Sequence, residues 1–372
     1  MTSTSGSGEA RRVAVDGSGL DHPLAGIGVY TRHVLRAMEE ARAAELLLYA
    51  SPGIAPTLPG GRVISARSLP LLGRHALWPL QLRRSGADSY LGCAGQLPLG
   101  GTGVPSVVTA HDLAIYRHPE WFPGGQWLSV RHVVPRSLRR ADLVACVSAS
   151  TARDVAELFE VPRDRLRVVH LGVERSFSPQ PAERVAELRA RLGLPERFLL
   201  SLSTIEPRKN LPTLLQAWAR LPDRPPLVIA GAVGWRADEV LAHLERSGPG
   251  VLRLGAVSSP DLPALCSAAC CLAHPAWYEG FGLPPLEAMA CGTPVVASNR
   301  SSLPEVLGDA ALLADPADVD AWTAALRRVL GDEALRAKLI ERGRRRAAEL
   351  TWGRTAEGTW RALDEAVMRS AD

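Results

Sequence analysis

WYEGFGLPPLEAMACGTPVV, residues 277–296, sets two glutamates, Glu279 and Glu287, eight positions apart across a Gly/Pro-rich bend, just before a strand-like PVVAS. Gly280 and Gly282 stand where the backbone must bend and approach a ligand closely. PPLEAMA reads as a helical turn, so the loop amides of Gly280, Phe281, Gly282 and Leu283 lead into a helix start. Such amides face phosphate or sugar oxygens, and carboxylates accept hydrogen bonds from sugar hydroxyls. Taken alone, the pair is better read as a helix cap at Glu279 and an exposed helix residue at Glu287.

The surroundings decide between these readings. In the second half of the chain RFLLSLS, PLVIAG, VLRLGAV, CCLAHPA, TPVVASN and AALLAD are strand candidates separated by helical stretches. The first half repeats the scheme. RRVAVDG, ELLLYA, PSVVTAHDL, DLVACVS and RLRVVHLGV read as strands, and GVYTRHVLRAMEEA, WLSVRHVVPRSLRRA and SASTARDVAELFE as helices. Alternation of this kind predicts two α/β domains, each a doubly wound, mostly parallel sheet. We expect a disordered leader over 1–10, a first Rossmann-like domain over 11–175 and a second over 176–348. A C-terminal helix over 349–372 is expected to pack back toward the first domain. A Pro/Ser-containing segment near 174–190 and the start of the last helix are the expected hinges. Ligands of open α/β sheets sit beyond the carboxyl ends of the strands, so the cleft between two such domains is the expected site.

Composition narrows the class. The chain has 372 residues, 46% hydrophobic and 22% charged, in keeping with a two-domain soluble protein. It holds no uncharged apolar run long enough to span a bilayer, and the polar N-terminus lacks the apolar stretch of a secretory signal. A cytoplasmic location is expected, with an anionic membrane surface as a candidate peripheral contact. Six cysteines without a CxxC pair read as reduced, buried residues. Residues 1–175 carry 20 Arg against 15 acidic residues, and the remainder 23 basic against 24 acidic. That bias is too weak to argue for nucleic acid. Arg74, Arg83, Arg84, Arg131, Arg136, Arg139 and Arg140 lie in two amphipathic stretches. They are read as the solvated face of helices packed on the sheet, with membrane contact as the alternative.

A second motif, STIEPRKN, follows a strand and precedes the helix LPTLLQAWARL, placing Arg208 and Lys209 at a helix N-terminus. Exposed amides, the helix dipole and two cations favour an anion there. In the first domain, DHPLAGIGVYT puts Gly26 and Gly28 between a strand and a helix, and TAHDL puts His111 and Asp112 at a strand's end. Ser148 and Ser150 read as caps of the next helix. The DxD at Asp318–Asp320 reads as an acidic helix start.

Together, Arg208-Lys209 and Glu279-GFGLPPL-Glu287 resemble the retaining glycosyltransferases of family four, with the GT-B fold of two Rossmann-like domains facing across a cleft. ACGTPVVAS and SSLPEV resemble that family too. The resemblance implies a nucleotide-sugar donor, a glycan or lipid-linked acceptor, and retention of anomeric configuration without a covalent nucleophile. It implies that the early glycine loop, Gly26 and Gly28, faces the donor diphosphate and acceptor, and that His111 contacts the transferred sugar. Arg208, Lys209 and helix-start amides would stabilise the departing diphosphate, making a metal or other cofactor dispensable. Glu279 and the amides of Gly280–Leu283 would hold sugar hydroxyls, and Glu287 the ribose diol. The family's usual Arg at the first position of the cation loop is Thr204 here, while Lys209 keeps the family's Lys position five residues later and Arg208 adds a cation next to it. TIEPRKN is similar to a subgroup associated with mannosyl transfer, which implies GDP-mannose. A UDP- or dTDP-sugar donor of N-acetylhexosamine, glucose or rhamnose type stays open, as does a non-catalytic sugar-binding role. A dinucleotide oxidoreductase is disfavoured because GIGVYT lacks the third glycine of GxGxxG.

Overall fold

The computed structural model describes residues 11–21, 26–50, 62–65, 77–124 and 128–371. Its strands are β1 Arg11–Asp16, β2 Ala44–Ala50, β3 Arg62–Ser65, β4 Ser89–Gly92, β5 Ser106–Ala110, β6 Leu143–Cys146 and β7 Leu166–Val168, followed by β8 Leu199–Leu202, β9 Leu227–Ala230, β10 Val251–Gly255, β11 Cys271–His274, β12 Val295–Ser298 and β13 Leu312–Ala314. They form a seven-stranded sheet in the order β3-β2-β1-β4-β5-β6-β7 and a six-stranded sheet in the order β10-β9-β8-β11-β12-β13. Every described pairing is parallel, for example Val13 beside Leu46 and Leu272 beside Val295. Strands such as LVAC, LVIA and VVAS are buried along their whole length. Helices cover both faces of each sheet, so these strands read as continuous apolar runs and not as alternation. Two doubly wound domains are therefore present, as the sequence led us to expect.

In the second domain Leu214, Trp218, Val240, Leu244 and Trp322 pack helices Leu211–Ala219, Asp238–Arg246 and Val319–Gly331 on one face of the sheet. Leu265, Leu286 and Met289 pack helices Leu262–Ala268 and Leu283–Ala290 on the other. Strand order reverses between β8 and β11, so the loops after these two strands flank the switch point where doubly wound sheets bind ligands. STIEPRKN and WYEGFG are those two loops.

The chain leaves the first sheet after β7 and returns near residue 350. The two crossings touch: Val173 forms a parallel bridge with Thr351, and its amide donates to Leu350 O at 3.0 Å. A Cβ on Gly172 would lie 2.0 Å from the Trp352 amide nitrogen, so only glycine fits where the crossings meet. Helix Trp352–Ala371 then lies on the first domain, with Trp360 Nε1 donating to Met38 O at 3.2 Å and Arg42 paired with Asp364 at 2.8 Å.

Several expectations change. β3 and β4 were not anticipated: each is four residues long and sits among Gly, Ser and Pro, below the length at which periodicity speaks. The segment near 174–190 is a crossing only in its first part, because Ala182–Leu192 is a helix of the second domain. WLSVRHVVPRSLRRA is interrupted: Ser129–Val133 is a π-turn and Val134–Arg140 an α-helix. Pro135 lacks the amide that would continue the α-helical ladder. Gly26 and Gly28 are not a loop but the first turn of helix Gly26–Ala41, with Gly28 buried. In helix Trp78–Ser85, Trp78 and Leu82 pack inward while Arg83 and Arg84 are exposed. Arg131, Arg136, Arg139 and Arg140 are exposed as well. The leader and Arg74 lie outside the described residues. Among the described residues no helix is long and apolar enough to cross a membrane.

Candidate active site

The loop after β8 is built to hold its cations still. Pro207–Lys209 make one 3₁₀ turn, and Asn210 follows in the left-handed region, φ +53°, which Asn tolerates better than most residues. Asn210 Nδ2 donates to Pro275 O at 3.1 Å and to Pro316 O at 2.8 Å. The Trp277 amide donates to Arg208 O at 2.8 Å, so the two motif loops are tied to one another.

Between them lies a charged cluster. Lys209 Nζ donates to Glu279 Oε1 at 2.5 Å, and His274 Nε2 donates to the same oxygen at 2.7 Å. Arg208 Nη1 reaches Glu279 Oε2 at 3.2 Å and Asp112 Oδ2 at 3.3 Å, while its Nε lies 2.6 Å from Glu206 Oε1. Glu279, Lys209, Glu206 and His274 are all buried. Burial by itself would raise the Glu279 carboxyl. The Lys209 and Arg208 charges and the His274 bond outweigh it and hold the group well below the usual carboxylate range. Burial lowers His274, which is therefore neutral and donates to Glu279 from Nε2–H.

The second loop ends at Gly282, whose φ of +97° demands glycine, and helix Leu283–Ala290 starts there with no side-chain cap. Pro284 and Pro285 have no amide hydrogen. None of the four amides of Gly280–Leu283 donates to another described residue. Four donors without a partner among the described residues, at a helix start in the same cleft as Lys209 and Arg208, form an anion and oxygen cradle.

The first domain supplies the opposite wall. His111 Nε2 lies 2.7 Å from Cys93 O. A carbonyl only accepts, so the proton is on Nε2 and Nδ1 is left as an acceptor. Burial pushes the ring down to about 4, so it is neutral at ordinary pH. Tyr30 meets the ring edge-on at 4.6 Å. The domains touch directly around this point. Ser148 Oγ, the cap of helix Ala149–Phe159, donates to Gly280 O at 2.8 Å. Glu305 of the second domain accepts from the amides of Ala149 at 2.8 Å and Ser150 at 3.2 Å, and pairs with His170 at 2.7 Å. Tyr278 OH donates to Asp154 Oδ2 at 2.6 Å.

A cleft of about 560 Å³ results. Gly26, His111, Arg208, Lys209 and Glu279 line it, together with the Gly280–Leu283 loop. Gly28 does not line it. Neither does Glu287, which is half-buried one turn into its helix and has no side-chain hydrogen bond among the described residues. Asp112, Glu206, His274, Phe122 and Trp235 were not among the expected site residues. TAHDL placed Asp112 beside His111, and nothing local in the sequence signals the other four. The DxD holds a helix start: Asp318 Oδ1 accepts from the Ala321 amide at 2.9 Å, and Asp320 pairs with Arg220 at 2.6 Å.

Glu287 makes a pH prediction. Burial, then the nearby charge of Glu174, raises its carboxyl from 4.5 to about 7. The folded chain thus holds a proton there between those values that the unfolded chain releases. This group's contribution to stability is fully present at low pH and is lost as pH rises through the window. A carboxylate that accepts from a ribose diol works in the opposite sense and strengthens on ionisation. On the resemblance's assignment of Glu287 to the ribose, the Kd for a nucleoside diphosphate is expected to tighten severalfold from about pH 6 to about pH 8 in wild type. Calorimetric titration should show this dependence flattened in Glu287→Gln. An equal pH dependence in the variant would remove Glu287 from the ribose.

Comparison with known proteins follows the same two-domain division. A model described as glycosyl transferases group 1 matches residues 185–346, and one described as glycosyltransferase family 4 matches residues 24–177. O-antigen chain mannosyltransferase B of Escherichia coli is 35% identical over 363 residues, covering 90% of this chain and 94% of that protein. MMP alpha-(1->4)-mannosyltransferase of Mycolicibacterium hassiacum is 33% identical over 74% of this chain and 69% of its own length. Sucrose-phosphate synthase from Thermosynechococcus elongatus superposes with a TM-score of 0.77 at 23% identity, covering 97% of this chain and all of that one. The chain belongs to the group 1 glycosyl transferases, and is a glycosyltransferase of GT-B fold.

Proposed function

We propose that the enzyme is a retaining, metal-independent mannosyltransferase that moves mannose from GDP-mannose to a hydroxyl of a glycan or lipid-linked acceptor. The observation that carries this reading is that Arg208 and Lys209 line one cleft with four helix-start amides that have no partner among the described residues. Breaking the anomeric C–O bond leaves negative charge on the diphosphate, and stabilising that charge is the main electrostatic task. Two fixed cations and preorganised N–H groups perform it from the protein's own residues. Mannose as the sugar rests on the EPRKN loop and on the names of the two mannosyltransferase relatives.

Retention rests on the family resemblance, and the state of Glu279 bears on how it would be reached, by disfavouring a covalent intermediate. Glu279 Oε1 accepts from both Lys209 and His274, and Oε2 faces Arg208, so the group is fully engaged and poorly suited to attack carbon. His111 is neutral and offers Nδ1 as an acceptor for a sugar hydroxyl. Front-face attack follows: the acceptor hydroxyl bonds to the anomeric carbon as the C–O bond to phosphate breaks, and a phosphate oxygen takes the hydroxyl proton. The ribose diol is assigned to Glu287 by the family resemblance alone, since this side chain does not line the cleft.

The test is a thermal-shift panel of purified protein with GDP, UDP, dTDP and ADP, each with and without EDTA. At about 100 times Kd a bound nucleotide adds about 2.7 kcal/mol of stability. A rise with GDP that EDTA leaves unchanged is expected. A rise with UDP or dTDP in its place overturns the GDP-mannose donor, and loss of the shift on adding EDTA overturns metal independence.

A further inference from the structure

The cleft has a second wall with no part in the chemistry above. Trp235 lines it and is 45% exposed, and Ile27 is 37% exposed beside it. Phe122, from the first domain, meets Trp235 edge-on with ring centroids 5.7 Å apart. Ile115 adds a further apolar side chain to the same lining.

The loop that carries Trp235 is held tightly. The Ile205 amide donates to Ala232 O at 2.8 Å, and the Gly234 amide to Ile205 O at 2.9 Å. A Cβ on Gly231 would lie 1.9 Å from Ser203 O, and one on Gly234 2.6 Å from Thr204 Cγ2. Both glycines are therefore needed for this loop to lie on the cation loop, and a short side chain at 204 leaves room for it. Arg236 sits in the left-handed region at φ +50°, and its Nη1 donates across the cleft to Glu120 O at 2.8 Å. An exposed, rigidly mounted tryptophan at a cleft mouth has a specific use. Its flat apolar face matches the C–H face of a pyranose, at little cost in conformational entropy.

We infer that Trp235, with Phe122 at its edge, is the platform on which a pyranose ring of a neutral acceptor glycan stacks. This rests on the reading of the cleft as a GDP-sugar site. The placement separates Trp235 from the nucleoside. Trp235 leads into helix Asp238–Arg246, on one face of the second sheet, whereas Glu287 lies on helix Leu283–Ala290, on the other. The cation loop runs between them. A donor whose ribose reaches Glu287 and whose diphosphate reaches Lys209 leaves Trp235 to the acceptor. The platform makes Trp235 a specificity-determining residue: its apolar face favours a sugar ring that presents C–H groups.

The experiment is calorimetric titration of α-linked mannobiose into full-length protein saturated with GDP, with GDP itself titrated first. Wild type is expected to bind both. Trp235→Ala should weaken mannobiose at least about tenfold, as loss of a buried aromatic anchor does, and Trp235→Phe should stay within about threefold of wild type. GDP affinity should shift less than about twofold in either variant. Equal mannobiose binding by wild type and Trp235→Ala overturns the platform. So does a GDP loss as large as the mannobiose loss, which would make Trp235 a nucleobase contact. GDP binding with no mannobiose binding overturns the platform alone. Failure of GDP to bind overturns the donor reading, and the platform with it.

Discussion

Lys209→Ala is expected to lower the turnover of the sugar nucleotide by roughly 10²–10³-fold, the range for losing one preorganised charge partner of a departing anion. The structure adds a second consequence. Lys209 is 8% exposed and donates to the buried Glu279 at 2.5 Å, so truncation strands a carboxylate that only Arg208 and His274 still face. Removing one member of a buried pair costs about 3–5 kcal/mol, with Arg208 and His274 keeping the loss toward the lower end. The pH dependence has a fixed sign. Glu279 is held below its ordinary range, so its contribution is present at neutral pH and is lost as pH falls through the acidic carboxylate range. In Lys209→Ala that acid sensitivity should shrink. The measurement is kcat for GDP release, with circular dichroism and thermal melts on the same preparation. A folded variant within threefold of wild-type kcat would take Lys209 away from the leaving group.

Gly280→Ala is expected to lower kcat by about 10²-fold while leaving each domain folded, the cost of misplacing a site by about 1 Å. The added Cβ would lie 2.0 Å from His111 O, 2.9 Å from its carbonyl carbon and 3.2 Å from Asp112 Cα. All three are backbone atoms of the other domain, so no rotamer change relieves the clash. The domains must part, and Ser148 Oγ loses its bond to Gly280 O. Small-angle scattering should show a more open particle, and kcat should fall further than thermal stability would suggest. Wild-type kcat with an unchanged scattering profile would show that the loop yields locally and that close apposition of the two walls is not needed.

Gly280 also shows where reading the chain stops. From the sequence, Gly280 and Gly282 looked alike, two glycines in one bend. Gly282 is the bend, at φ +97°. Gly280 is glycine because the first domain's backbone presses on it. The same divide runs through the charged cluster. Arg208 and Lys209 announced an anion site because they stand between a strand and a helix, a local fact. Their partners Glu279 and Asp112 come from 70 to 96 positions away. His274 looked like part of a strand, and Trp235 carried no local signal at all. Glu305, which ties the two domains at the start of helix Ala149–Phe159, lies in SSLPEV without any sign of that contact.

Local information was enough for the elements. Continuous apolar runs bounded by Gly, Pro and Asn specify buried parallel strands, and their alternation with helical stretches leaves few topologies besides two doubly wound sheets. It was enough, too, to place both motif loops at strand ends, where such sheets bind ligands. Strand order then did what periodicity has no means to express. By putting β8 beside β11 it joined the two motif loops. By setting one sheet's carboxyl edge against the other's, it gave His111, Gly280, Ser148 and Glu305 their partners. Protonation followed from the same packing: the acidic Glu279, the neutral His111 and the raised Glu287 are ordinary residues whose burial and neighbours exist only in the folded chain.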